Sequence, residues 1–173
     1  MNLPNKLTIS RIFAIPFFVT AYMIEWYITA FVIFVLASLT DMLDGYLARK
    51  HNIVSNFGKF ADPLADKILV YSALCLLIGN LVPAWMLIII LAREFVVSGI
   101  RAVAASQGIV IAAGMSGKIK TVIQMIAVAM LLLVPVITAN VFYYIAMGFL
   151  YGSLIMTIYS GVEYVIKNRQ VLK

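Results

Sequence analysis

Hydrophobic residues run along this chain in long continuous stretches, and polar residues gather at the ends of those stretches. Continuous apolar runs of helical length are typical of membrane-spanning helices, whereas the strands of a transmembrane barrel alternate. The pattern predicts an all-α, polytopic membrane protein with six transmembrane helices. The predicted segments are Leu7–Ile24, Tyr27–Arg49, Phe57–Gly79, Pro83–Ala105, Lys118–Thr138 and Val141–Lys167.

Composition also indicates that the bilayer is the solvent. The 173 residues are 64% hydrophobic and 12% charged, whereas a soluble domain is nearer half apolar and about a quarter charged. A soluble fold of this length has too little interior to bury so much apolar surface. We see no repeat, low-complexity linker or soluble domain, and therefore expect a single integral-membrane domain over residues 1–173.

The net charge of +6 follows the connections between the predicted helices. Lys and Arg flank the N-terminal end, the second and fourth connections and the C-terminal end, while the other three connections contain none. The positive-inside rule then places both termini and the two basic connections in the cytoplasm. We therefore expect a multi-pass protein of the cytoplasmic membrane, with membrane lipids and no nucleic acid among its partners.

Aspartates are concentrated in one short region of a chain that otherwise avoids acidic residues. Asp41 and Asp44 lie three apart near the end of the second helix, and Asp62 and Asp66 lie four apart near the start of the third. Each pair therefore shares one helical face. A charged side chain at the bilayer centre costs about 2.5–3.5 kcal/mol. Four aspartates without a function are therefore a poor explanation of this region.

The aspartate pairs predict a metal site. The connection between their helices is short, so the helices are antiparallel neighbours and the two pairs can face each other. Converging carboxylates repel unless divalent cations lie between them, and hard oxygen ligands suit Mg²⁺, Mn²⁺ or Ca²⁺. Zinc fits poorly, because His51 in the connection is the only nitrogen or sulfur ligand nearby.

Small residues accompany the aspartates one helical turn away. Gly45 and Ala48 follow the first pair by four residues, and Gly58 precedes Asp62 by four. These small side chains predict a slot beside the metals, and Arg49 can reach a phosphate at its mouth. Paired metals, a slot and a flanking cation favour phosphoryl transfer, with a partly free carboxylate as general base.

The same residues carry a resemblance to a known family. The pattern Asp41-x-x-Asp44-Gly45-x-x-Ala48-Arg49, eight further residues, then Gly58-x-x-x-Asp62-x-x-x-Asp66 resembles the signature of the CDP-alcohol phosphotransferases at all eight positions. The resemblance implies a six-helix membrane enzyme, usually a homodimer, with its active site open to the cytoplasm.

The resemblance also implies roles for the signature residues. Asp41, Asp44, Asp62 and Asp66 would hold two ions, Mg²⁺ or Mn²⁺, with Asp66 as the catalytic base. CDP would lie over the remaining signature residues, Gly45, Ala48, Arg49 and Gly58.

Two further stretches point to the second substrate. "AREFVVSGIRAVAASQGIVIAAGMSGKIKT" from Ala92 and the opening "LPNKLTISR" are similar to the bacterial phosphatidylglycerophosphate synthases. This similarity implies transfer of a phosphatidyl group from CDP-diacylglycerol to sn-glycerol 3-phosphate, with release of CMP. The candidate acceptor-binding residues are Asn5, Thr8, Arg11, Arg101, Lys118 and Lys120. Because Lys118 and Lys120 are two apart, a regular helix lets only one of them face a given site.

Other interpretations of these residues stay open. Arg101, Lys118 and Lys120 also fit positive-inside topology or contact with lipid headgroups, and Arg93–Glu94 fits an internal ion pair that only holds helices together. The acceptor alcohol could instead be inositol phosphate, serine or phosphatidylglycerol. A divalent-cation transporter is a rival function, because carboxylates within membranes often line ion paths.

Overall fold

The computed structural model describes the backbone of residues 3–51, 56–112 and 114–172, and the side chains of residues 10–40, 67–112 and 114–171. Over these ranges the protein is all-helical and contains no β-strand, which confirms the all-α part of the predicted fold class. The elements are α1 (Leu3–Met23), α2 (Tyr27–His51), α3 (Asn56–Leu77), α4 (Ala84–Ser106), α5 (Met115–Leu133), α6 (Asn140–Lys167) and a short 3₁₀ helix, η1 (Arg169–Leu172).

The helix boundaries differ from the predicted ones most at the end of α5. The hydrophobic pattern extends to Thr138, but the helix ends at Leu133. Pro135 explains the difference, because it lacks an N–H and disfavours helical geometry in the residue before it. The backbone then turns, and the N–H groups of Val136 and Ile137 both donate to the Leu133 carbonyl, at 3.0 and 2.8 Å.

Helices α1 and α4 end in the same hydrogen-bonded turn. At the end of α4, Gly108 has φ +74°, its N–H donates to the Ala105 carbonyl, and the next N–H donates to the Ala104 carbonyl. At the end of α1, Glu25 has φ +64°. Its N–H donates to the Tyr22 carbonyl, and the N–H of Trp26 donates to the Ala21 carbonyl, which are the matching two bonds. This left-handed end motif normally uses glycine, so α1 closes with an unusual residue.

The chain forms two compact units. The first comprises Met1–Leu77 and Ala129–Ala139, and the second comprises Ile78–Val128 and Asn140–Lys173. The prediction of one domain over residues 1–173 stays a prediction.

In the first unit, α1 packs against α2 and α3, and α2 contacts α3. Phe18 and Phe34 are buried where α1 meets α2, with ring centroids 6.0 Å apart. Ala21, Ala30 and Ala37 are buried beside them. Small side chains let membrane helices approach closely, and van der Waals contact supplies much of their attraction.

In the second unit, α4 packs against α6, and η1 packs on both. Buried positions on α6 recur at alternating intervals of three and four residues, as on a helix that presents one seam to a partner. They include Ala146, Leu150, Ser153, Thr157, Ser160 and Tyr164. The hydroxyls of Ser153, Thr157 and Ser160 donate to carbonyls of their own helix, which satisfies polar groups that would otherwise be costly to bury.

Large apolar side chains cover the outside of the helices. Phe17, Phe95, Val141 and Ile155 are each about two-thirds or more exposed, and exposed apolar side chains of this size suit contact with another apolar phase. Within the described part of the chain, Met115–Leu133 and Asn140–Lys167 are long and apolar enough to cross a bilayer. Shorter apolar helical stretches cover Ser10–Met23, Tyr27–Thr40 and Lys67–Leu77. These features indicate a membrane protein.

Candidate active site

The four predicted metal ligands lie on two helices that contact each other. Positions 41 and 44 belong to α2, positions 62 and 66 belong to α3, and both helices are in the first unit. Their side chains lie outside the described residues, as do those of Gly45, Ala48, Arg49 and Gly58. The predicted helical placement of the aspartate pairs is therefore confirmed, and their roles stay predictions.

The donor set on α2 and α3 fits a divalent cation. Four carboxylates on two adjacent helices supply only oxygen ligands, which is the chemistry that Mg²⁺ and Mn²⁺ prefer. They also supply enough negative charge to offset two doubly charged ions.

Of the candidate acceptor residues near the start of the chain, only Arg11 has a described side chain. Arg11 lies on α1 and is 2% exposed, so its side chain is buried. Asn5 and Thr8 lie on α1, but their side chains fall outside the described residues.

A buried group of charged side chains joins three helices of the second unit. One carboxylate oxygen of Glu94 on α4 accepts hydrogen bonds from Arg93 Nη1 at 2.9 Å and from Lys120 Nζ on α5 at 2.7 Å. Arg93 Nη2 also donates to Ser160 Oγ on α6 at 3.1 Å. The side chains of Arg93 and Glu94 are each 13% exposed and that of Lys120 is 4% exposed. The predicted Arg93–Glu94 ion pair is confirmed.

Two glycines accommodate the Arg93 side chain within this group. A Cβ atom at Gly161 on α6 would lie 2.9 Å from Arg93 Cγ, and one at Gly117 on α5 would lie 3.3 Å from Arg93 Nη2. The absence of side chains at these two positions therefore leaves room for Arg93 to reach its partners.

Lys118 and Lys120 differ as their spacing requires. Lys120 is buried against Glu94, while Lys118, two residues earlier on α5, is exposed. Another polar contact joins the start of α5 to α6. Ser116 Oγ donates a hydrogen bond to the Glu163 carboxylate on α6, and the same carboxylate accepts one from Lys167.

Arg101 is exposed and is held by a buried tyrosine. Its Nε–H donates to Tyr164 Oη at 3.2 Å, and its guanidinium carbon lies 5.6 Å from the centroid of the Tyr164 ring. Tyr164 is 7% exposed and packs with Val97 and Ile100. Arg101 therefore presents its remaining N–H donors from an anchored position.

Sequence reasoning missed Tyr164, Ser160 and the Ser116–Glu163 contact. Tyr164 is 63 residues from Arg101 and Ser160 is 67 from Arg93, so no spacing rule connects them. Glu163 could have been noticed, since it is one of only seven acidic residues.

Comparison with known proteins identifies the family of this chain. Residues 1–159 match the family described as CDP-alcohol phosphatidyltransferase. The chain belongs to this family. The family resemblance of the aspartate signature is thereby confirmed.

Relatives within the family are similar over most of their length. A Bacillus subtilis (strain 168) protein named CDP-diacylglycerol–glycerol-3-phosphate 3-phosphatidyltransferase is 45% identical, over 99% of this chain and 97% of the relative. Proteins of the same name from Rickettsia felis and Shigella flexneri serotype 5b are 43% and 35% identical. The Rickettsia alignment covers 76% of this chain and 75% of the relative, and the Shigella alignment covers 97% and 95%.

Proposed function

We propose that this chain transfers the phosphatidyl group of CDP-diacylglycerol to sn-glycerol 3-phosphate in phospholipid biosynthesis. The observation that carries the proposal is the near full-length similarity to relatives that bear this activity in their names. In the reaction, a hydroxyl oxygen of the acceptor forms a bond to the phosphatidyl phosphorus, the bond from that phosphorus to the CMP oxygen breaks, and CMP leaves.

We propose that Asp41, Asp44, Asp62 and Asp66 hold two ions, Mg²⁺ or Mn²⁺. The oxygen-only donor set on two contacting helices supports this assignment. When bound, the ions polarise the pyrophosphate and stabilise the charge of the transition state. Gly45, Ala48 and Gly58 leave room for the CDP moiety beside the carboxylates, and Arg49 binds its phosphate.

Asp66 is proposed as the base that removes the proton of the acceptor hydroxyl. Asp66→Asn keeps a side chain of the same size but cannot take up a proton at neutral pH. We expect CDP-diacylglycerol binding to persist while turnover at saturation falls by at least about 10²-fold, as for a lost general base. Loss of substrate binding with a normal rate at saturation would instead make Asp66 only a ligand.

The acceptor phosphate is proposed to bind to basic side chains. A phosphomonoester carries nearly two negative charges, and guanidinium groups bind it through paired hydrogen bonds. Arg101 is the best-supported candidate, because it is exposed and anchored through one nitrogen only. Lys118, Lys120, Asn5, Thr8 and Arg11 are further candidates.

We further propose six membrane crossings with both termini in the cytoplasm, a location in the cytoplasmic membrane, an active site facing the cytoplasm and a homodimeric assembly. The asymmetric distribution of Lys and Arg supports the orientation. The exposed apolar side chains on the helices suit contact with lipid and with a second copy.

One assay tests the function and separates it from its rivals. Purified protein in lipid receives CDP-diacylglycerol with glycerol 3-phosphate, inositol phosphate, serine, phosphatidylglycerol or plain glycerol, and CMP release is measured. We expect release with glycerol 3-phosphate, and its loss on chelation with recovery on adding Mg²⁺ or Mn²⁺. Preference for another alcohol would reassign the acceptor, and full activity in excess chelator would remove the metal proposal. Metal-ion uptake into vesicles without CMP release would favour the transporter.

A further inference from the structure

The Tyr164 side chain lies in a fixed position between α4 and α6. It is 7% exposed and forms a buried cluster with Val97 and Ile100, with Ile111 and Val165 packed against it. A buried aromatic ring enclosed by aliphatic side chains has little rotational freedom, so its hydroxyl is a rigid hydrogen-bond acceptor.

Arg101 reaches this hydroxyl with Nε alone. The Nε–H donates to Tyr164 Oη at 3.2 Å, and the guanidinium lies within cation–π distance of the ring, with its carbon 5.6 Å from the centroid. A guanidinium has five N–H donors. The bond to tyrosine therefore leaves the four donors of Nη1 and Nη2, and these two nitrogens form the fork that binds two phosphate oxygens.

Anchoring of this kind has a consequence for binding. An exposed arginine loses considerable side-chain entropy when a ligand immobilises it. A buried tyrosine that already fixes the orientation of the guanidinium removes much of that cost before the ligand arrives. A lysine at position 101 has neither the Nε donor nor the planar fork.

We infer that Tyr164 is a positioning residue, which orients the Arg101 guanidinium towards the phosphate of the acceptor. The inference rests on the proposed function, because that function assigns the acceptor phosphate to Arg101. It adds a residue that acts through Arg101 and does not itself touch substrate.

Tyr164→Phe tests the inference, because it removes the acceptor oxygen and keeps the ring. We expect the KM for glycerol 3-phosphate to rise by about 3- to 10-fold, the range of one net hydrogen bond. The KM for CDP-diacylglycerol and the rate at saturation should stay at wild-type values. Tyr151→Phe, on the same helix and 45% exposed, is the matched control and should change none of the three.

A double-mutant comparison shows whether Tyr164 acts through Arg101. Arg101→Ala should raise the KM for glycerol 3-phosphate further, and adding Tyr164→Phe to it should have no additional effect. Arg101→Lys leaves the buried ring intact and should also raise this KM, which keeps the test valid if Tyr164→Phe fails to fold.

The outcomes separate this inference from the proposed function. Wild-type protein that releases no CMP with glycerol 3-phosphate would contradict the proposed function. An active wild type in which Arg101→Ala and Arg101→Lys keep the normal KM would overturn the inference and the acceptor role of Arg101. An active wild type in which Arg101→Ala raises the KM but Tyr164→Phe does not, or in which the two effects add, would overturn the inference alone.

Discussion

At the scale of single residues, Glu94 is a largely buried acidic side chain. Its carboxylate receives hydrogen bonds from two cationic groups, Arg93 and Lys120, and all three side chains are largely buried. Burying charges costs free energy, and the cost is offset only while every partner is present. Removing one partner leaves a buried charge without full compensation. The resulting loss of stability should therefore exceed the net contribution of the intact ion pair.

Substitution of Lys120 by methionine should reveal this dependence. Lys120→Met keeps the length and apolar stem of the side chain but leaves Glu94 with one fewer cation. We expect a loss of about 1–3 kcal/mol in the free energy of unfolding, below the usual range for a broken buried pair because Arg93 remains. Thermal unfolding in detergent measures the effect.

Lys118→Met is the matched control for this prediction. It makes the same chemical change two residues away, at an exposed position, where substitutions usually stay within about 0.5 kcal/mol. Equal destabilisation by the two variants would show that the Glu94–Lys120 contact does not support the fold.

At the scale of helices, α6 approaches the Arg93 side chain so closely that a glycine is required. A Cβ at Gly161 would lie 2.9 Å from Arg93 Cγ and 3.9 Å from its Cβ. These atoms belong to the stem of the side chain, whose far end is held by Glu94 and Ser160. The arginine therefore cannot move aside without losing a partner.

Gly161→Ala should lower stability, and Gly148→Ala on the same helix is its control. Position 148 has no atom within 4 Å of an added Cβ, so alanine there should stabilise α6 by up to about 1 kcal/mol through helix propensity. We expect Gly161→Ala to be about 1–3 kcal/mol less stable than Gly148→Ala, the usual range for overpacking. Indistinguishable unfolding midpoints would mean that α6 and Arg93 adjust freely.

The matching ends of α1 and α4 predict that substitutions at Glu25 and Gly108 change the stability in opposite directions. Glu25 holds a left-handed conformation at φ +64°, which costs an L-residue about 1–2 kcal/mol. Glycine removes this strain at the expense of about 0.4–1 kcal/mol of unfolded-state entropy. Glu25→Gly should therefore raise the free energy of unfolding slightly, and Gly108→Ala should lower it by about 1 kcal/mol. Changes of the same sign in the two variants would refute this account of the helix ends.

The sequence predicted the helices well and their ends less well. Apolar runs and charged flanks placed all six within a few residues, except where Pro135 ends α5 early. The turn at Glu25 could not be predicted from local preference, because "MIEWY" contains neither Gly nor Asn. There the packing of α1 against α2 overrides the preference of the residue.

Predictability of the site also depended on sequence separation. The aspartate pairs were visible because their spacing of three and four residues fits one helix face. Within α5, the two-residue spacing of Lys118 and Lys120 predicted that they differ. The partners of Arg93 and Arg101 on α6 were not predictable, because only tertiary packing brings them together.

At the scale of the whole molecule, the proposed topology makes a labelling prediction. In a Cys75→Ser background, which removes the only cysteine, Asn80→Cys and Gln107→Cys each place one thiol at an exposed position in a connection. The first connection lacks Lys and Arg and the second is flanked by them, so they should lie on opposite sides of the membrane.

An impermeant maleimide should therefore label Asn80→Cys in intact cells and Gln107→Cys only after the cells are opened. The Cys75→Ser parent is the control for background labelling. Labelling of both variants from outside would contradict the six-crossing arrangement.

The sharing of one carboxylate by two cations also bears on the order in which the helices are made. On the proposed topology, α4 enters the membrane before α5 and carries Arg93 next to Glu94, so its buried arginine arrives with its own counterion. When Lys120 follows on α5, the carboxylate is already in place to receive it. Glu94 is thus already in the membrane when Lys120 arrives, so neither Arg93 nor Lys120 has to enter the lipid without a counterion.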